Sequence, residues 1–366
     1  MKNRLPFLLH LIFWTSLTIC FSCEKQGSKT NPEIRNVIFM IGDGMGVPAV
    51  YSAMTVSDQP LNIERCPVTG LQTTFSSDNY ITDSAAGGTA LATGTKTKNG
   101  AIGVDSQGNR VKSILEIAEQ NGLATGLVST SAVTHATPAS FIAHQSSRGS
   151  YEDIASDFLK TDIDVFIGGG YDHFAKRNDK SDLIDSLKIR GYEVDTSMNS
   201  IINSTSLKLA GFTAPLQNPY RLKGRGNMLP ASSGKAIEIL SKNSKGFFLM
   251  IEGSEIDWAG HANSADTLVD ETLDFDKAIG VALDFAKKDG HTLVVITADH
   301  ETGGVTITGG SRETHKVTLS FSTTGHTAVM VPVYAYGPGA EEFTGTYDNT
   351  DVFRKILNSY GFVQLK

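Results

Sequence analysis

The chain has 366 residues, a formal charge of −7, 40% hydrophobic residues and 36 glycines. That length gives a soft prior of about two domains and leaves ample chain for a large core. An acidic balance with no basic run excludes a nucleic-acid groove lined by Lys and Arg; an acidic protein that acts on an anion needs local positive charge, which bound metal ions supply.

Residues 1–23 read as an export signal. Lys2 and Arg4 precede a short apolar run from Phe7 to Ser22, too short and wrongly flanked for a transmembrane helix. Its end, Ile19-Cys20-Phe21-Ser22-Cys23, resembles a bacterial lipoprotein cleavage site with Cys23 as the lipidated residue, although Cys20 stands where Leu is usual. A plain secretory signal cut nearby is the alternative. Either reading places the protein outside the cytoplasm, in the periplasm or on a membrane through a lipid anchor. Residues 24–34 follow as a polar tether. With Cys23 taken by lipid, Cys66 has no partner for a disulfide.

Apolar runs at 36–41, 124–129, 164–167, 247–251, 293–297 and 331–336 are nearly continuous, as strands buried on both faces are. Helical patterns at 113–121, 181–190 and 266–288 separate them. The alternation predicts an α/β fold, a mostly parallel central sheet covered by helices on both faces. Ligands of such sheets gather beyond the carboxyl ends of the strands. Asp43, Glu252, Asp257 and Asp299 all follow strand runs. Candidate site residues extend from 43 to 326, so 35–366 reads as a single domain.

Ser84 lies between Asp83 and the small-residue stretch 85–92, where a helix start offers free N–H groups to a phosphoryl oxygen. On local sequence alone the N-cap reading comes first. Asp257 and His261 are spaced i, i+4, and His300 follows Asp299; imidazole and carboxylate suit zinc. Glu252 and Thr137 offer hard oxygen donors, suited to magnesium. Arg148 has a planar fork that can hold two phosphate oxygens, or it is a solvated surface residue. His10, His144, His173, His291 and His315 read as signal, packing or surface residues.

Six segments together resemble the alkaline phosphatases in order and spacing, over residues 35–362. They are Asp43-Gly44-Met45-Gly46, Thr82-Asp83-Ser84-Ala85-Ala86, Thr134-His135-Ala136-Thr137-Pro138-Ala139, Glu252 through His261, Thr297 through Gly304, and Gly325-His326-Thr327. The resemblance implies hydrolysis of small phosphate monoesters through a phosphoserine on Ser84. It implies two Zn²⁺ ions, one on Asp257, His261 and His326 and one on Asp43, Asp299 and His300. It implies one Mg²⁺ ion on Asp43, Thr137 and Glu252, with Arg148 binding phosphate. His135 is then a neighbour of the magnesium, and Trp258 borders the phosphate pocket. Two departures stand out. Gly87-Gly88 replaces the more familiar small pair after the nucleophile. The stretch from Gly304 to Gly325 is short where many relatives carry a large insertion that builds a dimer crown, which leaves a homodimer open. Rival readings are a phosphodiesterase or sulfatase of the same superfamily, or a catalytically silent surface lipoprotein. An intact nucleophile and a full ligand set argue against the last.

Overall fold

Residues Asn36–Gly42 form strand β1, and every one of them is buried. Val37, Phe39 and Ile41 enter one apolar cluster while Ile38 and Met40 enter another, because successive strand side chains point to opposite faces. A sheet with a core on each side therefore needs the unbroken apolar runs seen in the sequence. The computed structural model describes Lys2 and residues 33–362. The export signal apart from Lys2, Cys23 and the tether up to residue 32 lie outside the described residues.

Further strands follow in chain order: β2 (Val68–Thr73), β3 (Ala124–Ala132), β4 (Val165–Gly169), β5 (Glu193–Asp195), β6 (Leu209–Ala214), β7 (Phe247–Gly253), β8 (Thr292–Thr297), β9 (Glu301–Thr302), β10 (Val305–Ser311), β11 (Lys316–Phe321), β12 (His326–Thr327), β13 (Val331–Tyr336) and β14 (Gly345–Asp348). The main sheet has ten strands in the order β14-β2-β13-β8-β1-β7-β3-β4-β6-β5. Its ladders are parallel except where β13 pairs antiparallel with β2 and β8. The six strand runs predicted from sequence fall on β1, β3, β4, β7, β8 and β13, whereas β2, β5, β6 and β14 were not anticipated. β5 and β14 are short edge strands, and the C-terminal end of β6 is only half-buried.

The helices are α1 (Val47–Val56), α2 (Ser84–Thr93), α3 (Ile114–Gln120), α4 (Ala136–Ala139), α5 (Tyr151–Asp157), α6 (Tyr171–Ala175), α7 (Leu183–Ile189), α8 (Met198–Asn203), α9 (Met228–Leu240), α10 (Glu255–His261), α11 (Ala265–Asp289) and α12 (Asn349–Ser359). The three predicted helices are α3, α7 and α11. Ser113 starts α3 through a reciprocal capping box with Glu116, and α11 stops at Gly290 in a left-handed conformation. Among the described residues no helix is long and apolar enough to cross a membrane. The short stretch after Gly304 folds as the β10–β11 hairpin, which lies against α1.

Register brings the site together. Ile41 is level with Glu252 on one side and Thr297 on the other, and Ser129 is level with Glu252. The carboxyl ends of β3, β7, β1 and β8 thus form one row, and Asp43, Asp299 and α10 continue directly from it.

Candidate active site

Ser84 is the first residue of α2, almost wholly buried. The N-cap is Asp83, whose Oδ1 accepts from the Ala86 N–H at 3.0 Å, so the reading of Ser84 as a cap does not hold. Asp83 takes the capping duty and leaves the serine hydroxyl free to point at His300, with Oγ 3.2 Å from Nε2. Asp83 Oδ2 also accepts from Arg148 Nη1 at 3.0 Å and from the Gly100 N–H. Arg148 is accordingly a held side chain, not a solvated one. Its Nη2 lies 3.4 Å from His135 Nε2.

Three ligand-capable sets gather at this end of the sheet, and His300 of one of them meets the hydroxyl. Asp257, His261 and His326 form one, Asp43, Asp299 and His300 a second, and Asp43, His135 and Glu252 a third. The second and third are buried, whereas His326 is half-buried and His261 exposed, so the first set faces solvent. Thr137 lies beside the third set and donates to Asp43 Oδ2 at 3.2 Å. His135 was expected only as a neighbour of that set; its own ring nitrogen joins the cluster, and its buried Nδ1 has no hydrogen-bond partner. Trp258 packs edge-on to the His135 ring, centroids 5.8 Å apart.

The three histidines share one tautomer. His261 Nδ1 donates to the Thr324 carbonyl at 2.6 Å and His326 Nδ1 to the Thr82 carbonyl at 2.8 Å. The Thr302 hydroxyl donates to Asp257 Oδ1, so it accepts from His300 Nδ1 at 3.2 Å. Every Nε2 therefore faces inward. His261 and His326 Nε2 stand 3.1 Å apart, each within 3.5 Å of Asp257. Two imidazole nitrogens and a carboxylate at that spacing need a positive charge among them, a metal ion or, in its absence, the proton that Asp257 holds on His261.

The deep carboxylates make the same demand. Asp43 Oδ1, Asp299 Oδ2 and Glu252 Oε1 are buried without hydrogen-bond partners. An uncompensated buried charge costs several kcal/mol. Accordingly burial, then Asp299, Asp257 and Glu252, push the Asp43 carboxyl well up. Burial and Asp257 push Asp299 up to about 8, and burial raises Glu252 against hydrogen bonds from Ser129 and Ser254. Burial and Arg148 hold the His135 imidazole down to about 4, hence neutral. Carboxylates, neutral imidazoles and orphaned oxygens in one nest fit metal cations.

Sequence reasoning passed over three features. Asp83 and Thr302 lie within the motifs but carry no role predicted from them, although Asp before a helical run is a cap signal. Ser129, Ser131 and Ser254 surround Glu252; the polar end of β3, Ser129-Thr130-Ser131, was the available cue.

Fold and site define a class: an α/β protein with a mostly parallel sheet, whose buried serine hydroxyl sits beside carboxylates and imidazoles grouped for metal ions. The sequence model of alkaline phosphatases matches residues 34–321. Alkaline phosphatase 4 of Bacillus subtilis (strain 168) is 38% identical over 425 residues, spanning 92% of this chain and 92% of that protein. The alkaline phosphatase of the Antarctic bacterium TAB5 superposes with a TM-score of 0.87 at 45% identity, covering 91% of this chain and 100% of that one. A histidine-to-aspartate variant of the TAB5 enzyme, with a TM-score of 0.86 at 45% identity and the same coverage, has Mg bound in its M3 site. The chain belongs to the alkaline phosphatase family, and it is a phosphatase.

Proposed function

We propose that the chain hydrolyses phosphate monoesters through a phosphoserine on Ser84. Asp257, His261 and His326 would hold one zinc ion, Asp43, Asp299 and His300 a second, and Asp43, Thr137 and Glu252 a magnesium ion. When bound, such ions supply Lewis acidity toward phosphoryl oxygens and lower the pKa of coordinated hydroxyls. The observation that carries the reading is Ser84 Oγ within 3.2 Å of His300 Nε2, the nitrogen that also faces Asp43 and Asp299 at 3.4 and 3.3 Å.

Arg148, aligned by Asp83, presents its guanidinium to two non-bridging oxygens of the substrate. Ser84 Oγ, its proton given up to solvent, attacks phosphorus; a P–Oγ bond forms, and the bond to the ester oxygen breaks, that oxygen taking a proton from water to leave as the alcohol. Water then attacks the phosphoserine and restores Ser84 with loss of inorganic phosphate. His135, kept neutral by burial and Arg148, adds no charge beside the phosphate. The leader over 1–23, with Cys23 as lipid anchor and the tether over 24–34, would deliver the domain over 35–366 outside the cytoplasm; the sequence alone supports this part.

Ser84→Ala tests the mechanism. The variant is expected to form no acid-stable phosphoenzyme from labelled substrate while keeping its metal content, because the carboxylates and imidazoles remain. A labelled Ala variant would overturn the assignment.

A further inference from the structure

Away from the reacting groups, Arg225 sits in a buried ionic cluster. Its side chain is 1% exposed and meets Glu255, Glu271 and, at 2.9 Å, Asp274. These carboxylates are equally buried, 0%, 2% and 1% exposed. Glu271 and Asp274 lie one turn apart on α11, and Glu255 is the first residue of α10. Arg225 itself belongs to the segment before α9, where its Nη1 donates to the Pro219 carbonyl at 3.2 Å. One guanidinium therefore ties three segments together.

Such a cluster is a poor way to gain stability. Desolvating one guanidinium and three carboxylates costs heavily, and apolar side chains would pack the α10–α11 contact as well. A planar fork with fixed donors does supply orientation. α10 has only seven residues and no side-chain cap bond at Ser254. Along it, Asp257 and His261 share one face, and Glu255 lies about 200° round the axis from Asp257. The cluster grips α10 from the side opposite its ligand-bearing face.

We propose that Arg225 is a positioning residue for the Asp257–His261–His326 set: through Glu255 it fixes the rotation and depth of α10, and so the convergence of those ligand atoms. The inference rests on the reading of that set as a metal site. Lysine cannot replace the arginine, since an ammonium cannot span Glu255 and the Glu271–Asp274 pair together.

The test is competitive zinc titration of the full chain against a chromophoric chelator, with thermal unfolding alongside. For Arg225→Lys one zinc site is expected to weaken by about 10–100-fold, the range for losing a group that orients a ligand, while the other sites hold their affinity. In a His261→Ala background, where the set is already broken, Arg225→Lys should change zinc binding no further. Equal affinity at every site with only a lowered Tm, or equal weakening at all sites, overturns the proposal. Should Arg225→Lys fail to fold, Asp274→Asn removes one arm of the grip and should weaken the same site to a smaller degree; unchanged zinc binding in that variant overturns it too. A parent protein that takes up no zinc overturns the metal reading itself.

Discussion

At the scale of one residue, Arg148 shows how a neighbour holds a side chain ready for the phosphate-binding role proposed above. Burial alone would lower its pKa, but Asp83 outweighs it and the group stays fully charged. Asp83 also pins the fork through Nη1, so little rotamer freedom remains to be lost when a phosphate arrives. Arg148→Ala should therefore weaken inhibition by inorganic phosphate by about 1.5–3 kcal/mol per lost charge-assisted hydrogen bond, with Tm little changed. Unchanged phosphate inhibition would return Arg148 to the protein surface. The candidate ligand sets, which the fold brings together, were readable in sequence because Asp, Glu and His stand within short motifs at or just after strand ends. The residues that orient them were not. Thr302 reaches Asp257 across 45 positions and Asp83 reaches Arg148 across 65. Neither spacing has a local signature, and Thr and Asp are common in turns and caps.

At the scale of elements, α2 must carry its first residue to the sheet's carboxyl edge, and its glycines set how closely it docks. A Cβ on Gly87 would come within 3.1 Å of both the Cβ and the carbonyl oxygen of Asp299. Two effects oppose each other in Gly87→Ala. Alanine favours the helix by up to about 1 kcal/mol. The new methyl pushes Asp299 by a few tenths of an ångström, against a backbone carbonyl that cannot rotate away. Stability should stay roughly balanced, while misplacement of a reacting group by fractions of an ångström is costly to rate. The expected outcome is kcat reduced by about tenfold with Tm within a few degrees of the parent; undiminished kcat would show that the Gly87–Asp299 contact has slack. Elements themselves were read unevenly. Both-face burial made β1, β3, β4, β7, β8 and β13 visible as unbroken apolar runs. β2 mixes Thr and Gln among its apolar residues, with a burial pattern that alternates only in part. Gln72, wholly buried there, donates to Thr297 Oγ1 and the Ala298 carbonyl at 2.8 Å, a use of a polar strand residue that hydropathy cannot disclose.

For the whole molecule, the site is a liability that metal ions turn into an asset, and the balance depends on pH. In the metal-free protein Asp299 has a pKa raised to about 8 by burial and Asp257, and Asp43 and Glu252 are raised as well. A group whose folded pKa exceeds its unfolded value lends stability below the unfolded pKa and loses it as pH rises through the folded one. For Asp299 that window runs from about 4 to about 8. His261, raised to about 9 chiefly by its hydrogen bond to Asp257, has the same sign over a higher window. Asp257 has the opposite sign: burial raises it, yet the histidines hold it low, so its contribution disappears only in stronger acid. Metal binding requires these same groups deprotonated and tightens as pH climbs. The Tm gap between metal-loaded and chelator-stripped protein should therefore widen from pH 6 to pH 9. A few kcal/mol of lost stability would put the added gap on the order of 10 °C. Scanning calorimetry of both forms at pH 6, 7.5 and 9 checks it. A gap that stays constant or narrows would mean that the buried carboxylates are compensated from within the protein and need no cation.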